Sequence, residues 1–132
     1  IDTFGDLSYS FVFKNDIFIV LNTIETDRSL SQAQILFLSR TINLSGTEIN
    51  NVFVFFHEVI WNSDEKYSAV RSKSRSRYAQ VKDYSNYWEE VHPVIRSFPE
   101  KKFYLFAGDV GGNPDAVAAF YDVRDNVTIR NG

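Results

Sequence analysis

Apolar positions along this chain follow two different periods. In "LSYSFVF" (7–13) and "IFIVLN" (17–22), β-branched and aromatic residues crowd into short runs parted by Lys14, Asn15 and Asp16. Asn and Asp tolerate the left-handed backbone of tight turns, so the two runs predict a β-hairpin. The second run is nearly all apolar, the composition of a strand covered on both faces. In "SLSQAQILFLSRTINLSG" (29–46) the period lengthens. Ile35, Leu38 and Ile42 fall at helical spacing, and Leu36 and Phe37 widen the stripe. Ser31 with Gln34 three residues on reads as a capping box, and Gly46 as the helix stop.

"NVFVFF" (51–56) is a continuous apolar run of strand length and predicts a central buried strand. A second helix is predicted in "SNYWEEVHPVIRSF" (85–98), with Ser85 as cap and Trp88, Val91 and Ile95 on one face. Pro93 lies inside that pattern and should either kink the helix or start its second segment. "KFYLFA" (102–107) is the next buried strand, and "VTIR" (127–130) a short final one. Hairpin, helix, strand, loop, helix, strand is the order of an α/β fold with a largely parallel sheet. With no internal repeat and no second composition regime, residues 1–132 read as a single domain.

Composition narrows the picture. The chain has 132 residues, 44% hydrophobic and 16% aromatic, enough for a real core. A net charge of −3 argues against a strongly basic nucleic-acid binder, although "RSKSRSR" (71–77) is locally basic. Residues 62–82 hold six Lys and Arg against two acidic residues and read as a long surface loop, either simply solvated or reaching over a site to attract an anionic substrate. No apolar run reaches the roughly 18 residues of a membrane span. The absence of cysteine excludes disulfides and thiolate metal sites. The chain also lacks methionine and opens on Ile1, so it is expected to be a processed or excerpted portion of a longer protein.

Candidate chemistry follows two strands. In open α/β sheets, functional residues gather just past the carboxyl ends of strands, where His57 and Asp109 both fall. Imidazole and carboxylate together suit zinc, iron or manganese. A shared ion requires a His57 nitrogen and the Asp109 carboxylate within about 6 Å, on neighbouring strands. Taken singly, His57 reads as structural and Gly108-Asp109 as a turn. "GDVGGN" (108–113) lacks the Gly-Lys-Ser/Thr of a nucleotide-binding phosphate loop. Trp61 and Trp88 read as packing residues, and Asn43 and Asn126 open glycosylation sequons by pattern only.

"YSFVFKNDIFIVLNT", "LSQAQILFLSR", "VFVFFHEVIW", "YWEEVHPVI" and "FYLFAGDVGG" occur in the order seen in the carboxyl-terminal half of calcineurin-like metallophosphoesterases, and almost the whole chain resembles that family. The resemblance implies part of a four-layer α/β/β/α sandwich with mostly parallel central strands. It also implies phosphate mono- or diester hydrolysis at a centre of divalent Mn, Fe or Zn ions. His57 matches the lone histidine that ends a central strand and binds one metal. Gly108-Asp109-Val110-Gly111 stands where the family has Gly-His-x-His, so Asp109 can still ligate and Gly111 cannot. Glu58 occupies a position that is often a second histidine. His92 lies in a helix motif that supplies no ligand.

The family's Asp-x-His, Gly-Asp and Gly-Asn-His motifs have no counterpart here, since Gly5-Asp6 precedes a strand instead of following one. The chain alone is therefore expected to be inactive, with a dinuclear centre completed by residues outside it. It is also expected to pair with a missing amino-terminal half or with its own copy. A non-catalytic metallophosphoesterase-like binding or scaffold module is the alternative, and a sugar- or anion-binding α/β domain a third.

Overall fold

The computed structural model describes residues 8–23, 29–61, 85–108, 120–124 and 127–131. Their strands are β1 (Tyr9–Phe13), β2 (Asp16–Val20), β3 (Asn51–Phe56), β4 (Lys102–Ala107), β5 (Phe120–Arg124) and β6 (Val127–Asn131). They form one sheet in the order β1-β2-β3-β4-β6-β5. β2, β3, β4 and β6 run parallel, and antiparallel β1 and β5 close the two edges. The expected mixed α/β class with mostly parallel central strands is present. β5 was not anticipated, although "FYDVR" and "VTIRN" flank an Asp-Asn pair of the kind that marks a hairpin.

Strict alternation divides the sheet into two faces. Ile17 and Ile19, then Val52, Val54 and Phe56, then Phe103, Leu105 and Ala107, and finally Val127 and Ile129 are buried on one side. Helices cover this side: α1 (Gln32–Leu44) contributes Ile35, Leu38 and Ile42, and the second helical segment contributes Tyr87, Val91 and Ile95. On the other side, Phe11, Phe18, Phe53 and Tyr104 occupy successive strands in register. Their rings stack at 5.0, 5.0 and 4.9 Å with planes within 15° of parallel. Phe55 and Phe106 form a second step at 5.1 Å. Ring spacing matches strand spacing, so each ring covers its neighbour's flat surface and presents its edge outward. This corrects one expectation: β2 is fully buried on its helix side only, while Phe18 and Val20 are half-buried.

Local chemistry explains where the elements stop. Lys14, not Asn15 or Asp16, takes the left-handed backbone of the hairpin turn, with φ +56°. Asp16 instead opens β2 and accepts a 2.8 Å hydrogen bond from Asn51 Nδ2. Ser31 Oγ accepts from Gln34 N at 3.3 Å, so half of the capping box forms. The Gln34 side chain turns away to Asn22, where β2 leaves the sheet. It donates to Asn22 O at 2.9 Å and accepts from Asn22 N at 2.8 Å and Ser8 Oγ at 3.0 Å. A strand end has no sheet partner for its N–H and C=O, and Gln34 supplies both. Leu36 does not widen the buried stripe, being 49% exposed, while Phe37 does pack against the core.

The second helical segment begins as a π-helical turn, Tyr87–Val91, and continues as α2 (His92–Arg96). His92 N–H donates to Tyr87 O, five residues back. Pro93 has no N–H to offer, which marks where the wide turn gives way, and it sits in the first turn of α2. The extra residue shifts the phase, so Tyr87 is fully buried and Trp88 only partly. Ser85 Oγ accepts from Tyr87 N at 3.1 Å, while Asn86 clasps Leu30 across the helix layer by 3.0 and 2.9 Å bonds to its N–H and C=O.

Candidate functional site

β2, β3 and β4 end at a common level, and main-chain hydrogen bonds carry their ladders slightly beyond. Leu21 N donates to Phe55 O at 3.0 Å, and Gly108 N donates to His57 O at 3.2 Å. His57 and Gly108 therefore sit side by side at the carboxyl ends of two adjacent parallel strands. His57 is exposed, with its carbonyl fixed in the β3–β4 seam. Gly108 is exposed too, and a Cβ added there would meet nothing within 4 Å. Neither packing nor a left-handed φ demands glycine at this position, so the space beside the His57 backbone is open.

The next residue turns inward. Glu58 is buried, and its N–H donates to Thr23 Oγ1 at 3.1 Å, tying the segment after β3 to the one after β2. Thr23 is fully buried. This Thr23–Glu58 tie was missed from sequence, where the only sign was polar Asn22-Thr23 closing an apolar run. Glu58 thus lies inside the molecule while neighbouring His57 faces solvent.

Asp109 and Gly111 lie outside the described residues, as does the whole basic stretch 62–82. Among the described residues no three His, Asp or Glu side chains gather where they could hold a metal ion. The described residues thus offer one accessible imidazole at a strand end, a side chain able to ligate a cation. They do not by themselves form a metal site.

Among the described residues, His92, Trp61 and Lys101 are committed to the fold. His92 is buried, with Nδ1 3.0 Å from Tyr87 Oη and its ring against Trp88 at 4.9 Å. Trp61 is fully buried edge-on to Phe56 and Tyr87, and its carbonyl accepts from Trp88 Nε1 at 3.0 Å. A hollow at the opposite end of the sheet is lined by Ile42, Gly46, Phe98 and Lys101, among others. Lys101 is buried there, and its ammonium donates to Gly46 O and Ile49 O at 2.8 Å each. Asn43 is exposed near the end of α1. Among the described residues no helix is long and apolar enough to cross a membrane.

No protein-family model matches the sequence, and no curated protein matches it.

Proposed function

We propose that this chain is the carboxyl-terminal part of a calcineurin-like metallophosphoesterase domain. The intact protein would hydrolyse phosphate mono- or diesters with divalent Mn, Fe or Zn. The observation that carries this reading is the exposed His57 at the end of β3, hydrogen-bonded through its backbone to Gly108 of the neighbouring parallel strand. In this reading His57 and Asp109 each give a ligand, and residues outside the chain complete the centre. Such ions polarise phosphoryl oxygens and lower the pKa of a bound water. The open space at Gly108 lets substrate approach without a side chain in the way. The half-buried aromatic face is where a second sheet packs, making the four-layer α/β/β/α sandwich.

Metal analysis of the intact protein tests this. Mn, Fe or Zn should co-purify with it, and His57→Ala should lose both metal and aryl-phosphate hydrolysis. Metal content and rate unchanged by His57→Ala would overturn the assignment.

One observation favours a second reading. Glu58, at a position the family often fills with a second histidine, is buried inside the molecule. A non-catalytic metallophosphoesterase-like binding or scaffold module accounts for that, and it predicts an intact protein that holds no metal and hydrolyses nothing.

A further inference from the structure

The two edges of the sheet are built differently. Native edge strands are guarded against pairing by charges, proline or bulges. β5 includes Asp122 and Arg124 among its five residues. β1, "YSFVF", has no charge and no proline, and its register against β2 is unbroken, so it has no bulge. All five of its residues are exposed. The aromatic ladder also reaches this edge: Phe11 stacks on Phe18 at 5.0 Å with planes 5° apart, yet is 51% exposed.

We infer that β1 pairs antiparallel with β1 of a second copy of this chain, about a two-fold axis at Phe11, joining two sheets into one. The outer N–H and C=O groups of an edge strand select another strand as occupant. The side chains select a copy of this one. A two-fold axis at Phe11 sets Phe11 against its own copy, Tyr9 against Phe13 and Ser10 against Val12. All aromatic residues of β1 then remain on the ladder face, and the stack runs through the junction at the same strand spacing. No like charges oppose each other, which would disfavour the pairing. The arrangement also closes, because it consumes both β1 edges and leaves the β5 edges of the described sheet outside. It is independent of the phosphoesterase reading, since β1 lies two strands from the β3–β4 seam.

Because the chain has no native cysteine, single cysteines report the register directly. In Phe11→Cys the two sulfur-bearing residues face each other, with Cβ atoms about 5 Å apart. In Tyr9→Cys the two copies are offset by four residues, about 14 Å, beyond disulfide reach. Mild oxidation should therefore link Phe11→Cys into a dimer and leave Tyr9→Cys unlinked. In sedimentation velocity the unmodified chain should run as a dimer at micromolar concentration. Ser10→Lys combined with Val12→Lys, which opposes lysine to lysine, should weaken that dimer at least tenfold while leaving the circular dichroism spectrum unchanged. A monomeric unmodified chain, open-ended aggregation, equal cross-linking of the two cysteine variants, or a dimer indifferent to the paired lysines would each overturn the proposal.

Discussion

Lys14 holds a backbone conformation that suits asparagine or glycine better, since a left-handed L-residue costs roughly 1–2 kcal/mol. Its ammonium sits 5.4 Å from the Phe13 ring centroid, a contact worth about 0.5–1 kcal/mol at an exposed site. The strain is the larger effect. Lys14→Asn should therefore stabilise the fold by about 0.5 kcal/mol in urea unfolding, and a loss of stability would show that the cation–π contact dominates. Gln34 carries more. Gln34→Ala removes two hydrogen bonds from the N–H and C=O of Asn22 in a half-buried setting, and should cost about 2 kcal/mol. Ser31→Ala removes only one cap bond and should cost about 1 kcal/mol. The reverse ranking by thermal or urea melts would mean that the helix cap, not the strand-end clasp, is the stronger tie. The pattern Ser31…Gln34 could be read in the sequence, but not the destination of the Gln34 amide, because Asn22 comes beside it only when β2 and α1 pack.

At the scale of elements, α1 ends as its sequence predicts: Gly46 follows the helix with φ +82°. A Cβ there would meet the Glu48 carboxylate, a flexible side chain that can swing away, so the lasting cost is the backbone. Gly46→Ala should destabilise by about 1 kcal/mol in chemical denaturation, and a neutral result would show that the turn re-forms another way. Lys101→Met removes two charge-assisted bonds to the carbonyls after α1, and should cost about 2 kcal/mol. β2, β3, β4 and β6 were legible because their apolar runs are short and bounded by turn residues. The second helix was legible in place but not in phase, since nothing in "YWEEVHP" announces a π turn that buries Tyr87 ahead of Trp88. His57 was legible as a strand-end residue. The inward turn of Glu58 was not, because it depends on Thr23, far away in sequence.

For the whole molecule, the described residues build one covered sheet face and one half-covered face, with a single accessible histidine at the seam of two parallel strands. On the proposed phosphoesterase reading this chain supplies two ligands, His57 and Asp109, fewer than the convergent set a two-metal centre needs. The isolated chain should accordingly hydrolyse an aryl phosphate no faster than its own His57→Ala variant, with or without added manganese. A manganese-dependent rate that disappears in the variant would show that the chain assembles a working centre by itself. The placement of the tryptophans has an optical consequence. Trp61 and Trp88 both lie in the helix layer, hydrogen-bonded to each other, whereas the ladder on the opposite face is built from phenylalanine and tyrosine. Tryptophan emission therefore watches only one side of the sheet. Loosening confined to the ladder would leave that signal unchanged while altering near-ultraviolet dichroism from the stacked rings. Agreement between the two signals during unfolding is then a direct measure of whether the faces melt as one cooperative unit.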